Sequence, residues 1–337
     1  MLKLVKNTIK KLPGISRLVS QRDDSILAQE ELRLELREIY QQRNALNSHI
    51  EEISSELIEV KRKQGFAPAG HFYSPIPSFD EIKNEEQRIF ENAANTVSGI
   101  NFNEKDQLKL VKSFVDYYEN MPFQAEKKEG LRYYFENPAF SYSDAIFLHC
   151  MIREVKPKRI IEVGSGFSSC MMLDTNELFF DESIATTFIE PYPELLMSLI
   201  KDKDESRINI IPSRLQDVDL NQFDELQAND ILFIDSTHVS KIDSDVNRIM
   251  FEILPRLSSG VYIHFHDIFF PFEYPKEWVF EGRAWNEAYL LKAFLQYNES
   301  FRIVLMNTYL NCFHQTFIKD NLPLCLKHTG SIWIRKD

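Results

Sequence analysis

Apolar residues in the first part of the chain recur at alternating intervals of four and three positions, the spacing of a coiled-coil seam. The seam runs from Gln29 to Val60 without glycine or proline, and Gln29 and Arg43 interrupt it. Its apolar positions are Leu32, Leu36, Ile39, Leu46, Ile50, Ile53, Leu57 and Val60. At about 1.5 Å per residue, this predicts a helix of roughly 48 Å. The stripe favours a homo-oligomer formed through residues 29–60, with a lone helix folded onto the rest of the chain as the alternative.

Glycines and prolines end this helical pattern in residues 61–78. Helical spacing of apolar residues resumes over 81–121 and over 142–155, and an aromatic segment, residues 123–141, lies between them. We expect these parts to cover the front of the domain that follows.

Short apolar runs alternate with helical patterns after Pro157. The predicted strands are 159–163, 185–189, 208–211, 230–234, 261–266, 301–306 and 331–335. The first five are nearly continuous apolar runs, as in strands buried on both faces of a parallel sheet. The pattern predicts a doubly wound, Rossmann-like α/β sheet of seven mostly parallel strands, preceded by the coiled-coil helix.

The predicted organisation has four parts. These are a basic amphipathic segment (1–20), a coiled coil (21–64), a linker with a helical cap (65–141) and a catalytic domain (142–337).

Charge is unevenly distributed along the chain. The net charge is −12, but the first twenty residues carry five positive charges and no acid, which leaves −17 on the rest. Such an acidic body would repel a phosphate backbone, so we expect no nucleic-acid partner. The basic segment, in which Pro13 and Gly14 are expected to interrupt any helix, can lie on an anionic membrane surface, or it is a solvated terminus. It resembles the N-termini of cell-surface polysaccharide enzymes, which implies a role in polysaccharide biosynthesis.

The four cysteines lie far apart and form no CxxC pair, so they suggest neither a zinc site nor a disulfide framework. No signal peptide is recognisable, and no stretch approaches the ~20 apolar residues of a membrane span. We therefore expect a cytoplasmic protein that can contact the inner face of the membrane.

The strand predicted at 159–163 leads through Gly164, Ser165 and Gly166 into a helix. Glycines permit a sharp turn close to a ligand, and the helix N-terminus offers free N–H groups, so a nucleotide-like ligand fits this position. A GxG turn also occurs in dehydrogenases. Glu162 is the distinguishing residue, because dinucleotide sites usually have an apolar residue there.

Glu162 together with the glycine turn resembles motif I of the class I S-adenosylmethionine-dependent methyltransferases. Further matches follow in chain order, with Glu190 at a strand end where a carboxylate can accept ribose hydroxyls. The resemblance covers roughly residues 142–337 and implies S-adenosylmethionine as cofactor and a last antiparallel strand beside the sixth. The implied cofactor-binding residues are Glu162, Gly164, Ser165, Gly166, Glu190, Gln216, Asp217 and Asp235.

The resemblance is closest to the branch whose fourth strand ends Asp-x-x-His and whose fifth ends His-Asp. Here these residues are Asp235, His238, His266 and Asp267. Two mechanisms stay open. In the first, Asp235 and Asp267, with or without His266, hold Mg²⁺ or another divalent metal that lowers the pKa of a substrate hydroxyl. Otherwise His238 or His266, beside Asp267, is the catalytic base without a metal. Each histidine could also have only a structural role at its strand end.

The segment from Phe269 to Trp285 is long, aromatic and rich in proline, and its position resembles that of the family's substrate lid. The predicted reaction is methyl transfer to an oxygen of a small-molecule or glycan acceptor. An NAD(P)-dependent oxidoreductase or epimerase is an alternative, but the chain lacks a persuasive Tyr-x-x-x-Lys pair. A non-catalytic coiled-coil scaffold is another, and the joint presence of Glu162, Gly164, Glu190 and Asp235 argues against it.

Overall fold

The computed structural model of the chain describes residues 13–63, 65–91 and 96–337. Residues 1–12, most of the predicted basic segment, lie outside that description. The chain divides into two compact units, Met1–Ser78 and Phe79–Asp337. In the described part, no helix combines the length and the apolar character needed to cross a membrane.

The first unit contains one long helix, α1 (Pro13–Lys63). Pro13 and Gly14 lie in its first turn and do not interrupt it, because proline is favoured where its missing N–H would have no partner. The helix also continues across the predicted boundary at residue 20. Every apolar residue of the predicted seam is between 49% and 62% exposed. The predicted helix is confirmed, and its association into a coiled coil stays a prediction.

The second unit is built around a seven-stranded sheet in the order β3-β2-β1-β4-β5-β7-β6. The strands are β1 (Arg159–Val163), β2 (Ala185–Ile189), β3 (Asn209–Ile211), β4 (Ile231–Ile234), β5 (Tyr262–His266), β6 (Phe301–Met306) and β7 (Ser331–Lys336). Strands β1 to β5 pair in parallel, and β7 lies antiparallel between β5 and β6. The predicted Rossmann-like sheet with a C-terminal antiparallel strand is confirmed, with strand ends that differ by one residue at most.

Short helices flank the sheet. They are α2 (Phe79–Asn84), α3 (Glu104–Ser113), α4 (Val115–Glu119), α5 (Tyr142–Val155), α6 (Phe167–Phe179), α7 (Glu194–Leu199), α8 (Asn221–Asp224), α9 (Asp245–Arg248), α10 (Leu254–Arg256), α11 (Lys276–Phe280), α12 (Glu287–Leu295), α13 (Asn307–Phe313) and α14 (Gln315–Asn321). The helical spacing over 81–121 corresponds to several short elements. One break falls at Asn103, whose backbone is left-handed (φ 50°) and which precedes α3.

The core lies on both faces of the sheet, and all four residues of β4 are fully buried. Within the aromatic segment, the buried Arg132 forms ion pairs of 2.6 Å with both Asp174 and Asp204. Asp174 belongs to α6, so these pairs fix the aromatic segment against the helix that follows the glycine turn. Because β1, β2, β4 and β5 are parallel, their carboxyl ends meet at one edge of the sheet.

Candidate active site

The turn after β1 approaches the end of β4 closely. Gly164 has φ +83°, and a Cβ atom there would lie 1.8 Å from the Asp235 carbonyl oxygen. Glycine is therefore required at position 164 by both conformation and space. Gly166 has an extended φ of 172°, and a Cβ there would make ordinary contact with Leu195 at 3.5 Å. Of the two glycines, only Gly164 is required by the backbone conformation and the space around it.

Glu162 lies behind this turn and is fully buried. Its carboxylate accepts hydrogen bonds from the hydroxyls of Ser168 and Ser169, in the first turn of α6. Ser169 Oγ also accepts the Gly166 N–H at 3.0 Å. Burial raises the pKa of Glu162 to about 8, although the serine hydrogen bonds act in the opposite direction. Glu162 thus connects the turn to α6 from below.

A cavity of about 390 Å³ opens above the turn, at the ends of β1, β2 and β4. We call it the cofactor cavity. Four of the predicted residues line it: Gly164, Glu190, Gln216 and Asp235. Glu190 accepts the Ser165 N–H at 3.2 Å and the Tyr192 N–H at 2.9 Å.

The remaining predicted cofactor residues lie outside that lining. Ser165 and Gly166 belong to the turn behind it, Glu162 lies in β1 beneath that turn, and the exposed Asp217 pairs with Arg214 at 2.9 Å. Lining residues that the sequence analysis did not single out include Tyr192, Arg214, Thr237 and Asp245. Tyr192 could have been suspected from its place two residues after Glu190, whereas nothing local indicated Asp245. Its carboxylate accepts hydrogen bonds from Thr237 and so shapes the loop after β4.

Asp235, His238 and Asp267 converge at the ends of β4 and β5. His238 Nε2 is 3.5 Å from Asp235 Oδ1 and 3.5 Å from Asp267 Oδ2. One candidate ligand atom from each residue lies within 4.8 Å of the other two. We call this the Asp-His-Asp cluster. Carboxylate oxygens and an imidazole nitrogen in this arrangement could hold a divalent cation.

Glu287 is the unpredicted member of this arrangement. It is fully buried at the start of α12, and its Oε2 lies 2.8 Å from His238 Nδ1. The backbone N–H of Glu287 also donates to the His238 carbonyl at 3.2 Å. A carboxylate that holds one imidazole nitrogen aims the other, which is the usual support of a metal-binding histidine. No sequence pattern links residues 49 positions apart.

The charges of the cluster act on one another. Burial disfavours a charged His238, but the hydrogen bonds that its ring donates to the carboxylates of Asp235 and Glu287 outweigh burial and raise its pKa to about 10. Burial likewise disfavours ionised Asp235, but the charges of His266 and His238 lower its pKa. For Asp267 burial prevails and raises the pKa. These shifts favour the charged forms of His238 and Asp235 and disfavour the charged form of Asp267.

Backbone strain accompanies this chemistry. His238 (φ +58°) and Asp267 (φ +57°) both adopt the left-handed conformation that non-glycine residues rarely take. Such residues persist where the surrounding structure holds them, and they concentrate at functional sites.

A cavity of about 360 Å³ lies on the far side of Asp267, and we call it the acceptor cavity. His266 lines it and lies with Nε2 3.5 Å from Asp267 Oδ1. Its Nδ1 is buried and finds no hydrogen-bond partner in the described part of the chain. Further lining comes from Asn137 in the aromatic segment and from Trp278 in the segment after β5.

The segment after β5 also reaches the cluster. The Trp285 ring lies 4.4 Å from the His238 ring, between centroids. The Arg283 guanidinium lies 4.2 Å from the centre of the Trp278 ring and 5.1 Å from that of Trp285. Stacking of this cation on two indoles orders the segment beside the site.

The sheet and the site at its carboxyl edge define a Rossmann-like enzyme of the kind that binds a nucleotide-like cofactor. A family model described as a methyltransferase domain matches residues 161–268, from β1 to just after β5. Residues 161–268 of the chain therefore form a methyltransferase domain, as the sequence predicts. This match favours the methyltransferase prediction over the oxidoreductase and scaffold alternatives.

Individual similar proteins accompany the family match. An uncharacterised protein of Archaeoglobus fulgidus is 37% identical over 168 residues, which cover 48% of this chain and 74% of that protein. The S-adenosylhomocysteine-bound methyltransferase PaMTH1 of Podospora anserina is 14% identical, covering 78% of this chain and 99% of its own, with a TM-score of 0.38. The O-methyltransferase TomG of Streptomyces achromogenes, solved with S-adenosylmethionine, is 14% identical, covering 68% and 98%, with a TM-score of 0.40.

Proposed function

We propose that this methyltransferase acts on a hydroxyl oxygen of a small, polar, saccharide-like acceptor, with a divalent cation held by the Asp-His-Asp cluster. The observation that carries the proposal is the position of the cluster between two cavities. Asp235 lines the cofactor cavity, and Asp267 lines the acceptor cavity. A methyl donor and a hydroxyl acceptor bound on either side would meet at the cluster.

The cofactor cavity suits S-adenosylmethionine in its polar groups. Gly164 leaves the backbone open to close approach, and Glu190 offers a carboxylate to ribose hydroxyls. Ser236 lines the same cavity, and its buried Oγ has no hydrogen-bond partner within the described ranges. Because buried hydroxyls are normally paired, this atom is available to a bound ligand.

The cluster suits a hard divalent cation. Asp235, Asp267 and the Nε2 atom of His238 are ligands that Mg²⁺ or Mn²⁺ accepts, and Glu287 holds His238 in the orientation that a ligand needs. Such a cation, when bound, lowers the pKa of an acceptor hydroxyl. The residues of the chain bind the methyl donor and the acceptor and orient them, which is the main requirement of in-line methyl transfer.

The proposed reaction breaks one bond to the methyl group and forms another. The bond from the sulfonium sulfur to the methyl group breaks, a bond from the acceptor oxygen to the methyl group forms, and the hydroxyl proton leaves to a base. In a metal-free mechanism, His266 is the better candidate for that base. It lines the acceptor cavity with a free Nδ1, whereas carboxylates engage both nitrogens of His238.

The lining of the acceptor cavity supports a polar acceptor. His266, whose buried Nδ1 has no partner among the described residues, and Asp267 provide polar groups, and Trp278 provides an aromatic face. Hydrogen-bonding groups beside an aromatic surface suit a hydroxylated ring, whose polar edges and apolar faces they match.

Metal binding is the direct test. Electron paramagnetic resonance of added Mn²⁺ should show one tightly bound ion per chain, and Asp267→Asn should weaken its binding by about tenfold or more. Glu299→Gln, at an exposed acid outside the cluster, should leave Mn²⁺ binding unchanged. If Mn²⁺ stays free in the wild-type protein, the metal is ruled out and the His266 mechanism is preferred.

We also propose that α1 mediates self-association through residues 29–60. The support is the continuous row of exposed apolar side chains along that helix. Peripheral membrane contact by residues 1–20 is a further proposal, supported by their five positive charges.

A further inference from the structure

A second, larger cavity lies beside the acceptor cavity at the same edge of the sheet. Its volume is about 560 Å³, and the loop after β5 and helix α13 form much of its wall. Five aromatic side chains line it: Phe90, Phe269, Phe270, Tyr274 and Phe313. We call it the aromatic cavity.

The two cavities are neighbours, because Phe269 and Thr329 line both of them. The Phe269 ring packs edge-on against Trp278 at 5.2 Å between centroids. The Phe269 ring, packed against Trp278, therefore forms part of the wall between the acceptor cavity and the aromatic cavity. A ligand that extends past Phe269 from Asp267 would enter the aromatic cavity.

Both charged side chains that line the aromatic cavity, and the Thr308 hydroxyl, already have partners. Lys276 forms an ion pair with Glu86, and Glu273 accepts a hydrogen bond from the Tyr289 hydroxyl. Thr308 Oγ1 accepts the Phe270 N–H at 2.9 Å. The described lining thus presents ring surface and no unpaired charge, which suits an apolar occupant and not an ionic one.

We infer that the acceptor is amphipathic, with its reacting polar ring in the acceptor cavity and an aryl or alkyl substituent in the aromatic cavity. This inference rests on the proposed function, which places the reacting hydroxyl beside Asp267. It adds a chemical class to the acceptor, namely a glycoside or similar hydroxylated ring that carries an apolar group.

Cys312 provides a reporter for occupancy. It lines the aromatic cavity and is exposed, whereas Cys150, Cys170 and Cys325 are buried. In the folded protein a thiol reagent should therefore modify Cys312 selectively. A substituent bound in the cavity should shield it.

The experiment measures the rate at which 5,5′-dithiobis(2-nitrobenzoate) modifies the full-length protein. The probes are octyl β-glucoside, below its micelle-forming concentration, and methyl β-glucoside, which has the same head group without the tail. Octyl β-glucoside should slow the reaction saturably by about fivefold or more, and methyl β-glucoside should change it less than twofold, because buried methylene groups supply the affinity. Equal protection by both probes, or by neither, would overturn the inference.

Two phenylalanine variants separate binding in the cavity from general adsorption of a detergent-like probe. Phe313→Ser removes a ring from the cavity wall, whereas Phe251→Ser removes an exposed ring that does not line it. Protection of Cys312 by octyl β-glucoside should weaken by about fivefold or more in Phe313→Ser and stay unchanged in Phe251→Ser. Phe90→Ser serves as a second lining variant if Phe313→Ser does not fold. Protection that persists in a folded lining variant rejects the aromatic cavity as the binding site.

Labelling of Cys312 requires neither the metal nor the cofactor. Loss of protection with intact Mn²⁺ binding would reject the amphipathic acceptor alone. Absent Mn²⁺ binding would reject the metal and leave the labelling result interpretable.

Discussion

The cofactor half and the acceptor half of the active site are built in different ways. The cofactor half is centred on one continuous strand, turn and helix, with Gly164 against the backbone of Asp235 and Glu162 beneath the turn, and the ends of β2 and β4 complete its cavity. The acceptor half depends on charged side chains from separate segments, including His238, Asp267 and Glu287. Under the proposed function, backbone geometry would position the cofactor, and long-range packing of charged side chains would position the groups that assist methyl transfer. Variants in the two halves should have separable effects.

The largest effect is expected at Gly164. Gly164→Ala places a Cβ atom against the Asp235 carbonyl, so the turn or β4 must shift and S-adenosylhomocysteine binding should fall by about 100-fold or more. Calorimetry measures the affinity. Gly130→Ala is the matched control, because Gly130 has a similar φ of +85° with nothing within 4 Å of an added Cβ. Unchanged S-adenosylhomocysteine affinity in Gly164→Ala, or an equal loss in Gly130→Ala, would contradict the prediction that the close approach at Gly164 is needed for binding.

Substitutions in the cluster should affect turnover and spare cofactor affinity. Asp235→Asn and Asp267→Asn should each lower kcat by about 10²-fold or more and leave S-adenosylhomocysteine affinity within a few-fold, since each removes one charge from the Asp-His-Asp cluster and keeps the side-chain size. EDTA should inhibit the wild-type enzyme, and Mg²⁺ or Mn²⁺ should restore its activity. Unchanged turnover in both variants would remove this site from the mechanism.

Glu287 should have a smaller effect, because it acts through His238. Glu287→Gln keeps the side-chain size but removes the buried charge that orients the imidazole, so Mn²⁺ affinity should fall by about tenfold. The readouts are the Mn²⁺ affinity, measured by titration, and the thermal stability of the variant, which should stay close to that of the wild type. Loss of thermal stability with unchanged Mn²⁺ affinity would show a purely structural role.

The cofactor half was largely predictable because its signal is local. The order of strand, glycine and helix in residues 159–169 predicts the turn, and the apolar runs predict the sheet. Glu287 and Asp245 were unpredictable, because only the folded chain brings them to His238 and Thr237. Helical spacing over 81–121 could not show the break at Asn103, since a left-handed residue leaves no mark on hydrophobic periodicity.

Glu162 gives the cofactor half a pH-dependent stability. A carboxyl with a folded-state pKa of about 8 and an ordinary value of 4.5 holds its proton more tightly when folded. Its contribution is complete below the ordinary value and is lost as pH rises through the folded value. The unfolding free energy of the wild type, relative to Glu162→Gln, should therefore fall by up to about 1.4 kcal/mol per pH unit in that window. Urea titrations at pH 5, 6.5 and 8.5 measure it, and a difference independent of pH would contradict the assignment.

The smallest effect on the site is expected from α1, which forms part of a separate compact unit. Eight apolar seam positions from Leu32 to Val60 would remain in water if the helix stood alone, so association should bury them. The inward-facing heptad positions (a and d) of this seam carry both Ile and Leu, a mixture compatible with a dimer, a trimer or a tetramer. Arg43 occupies an a position, where it should lower the stability of the coiled coil or select its register.

Deleting residues 1–64 should yield a smaller oligomer in light scattering, with S-adenosylhomocysteine affinity unchanged. In the full chain, Ile39→Asp should weaken association because it places a charge in the seam, whereas Gln41→Asp, on the outer face, should not. A monomeric wild-type protein would show instead that the coiled-coil prediction is wrong and that the exposed stripe has another role.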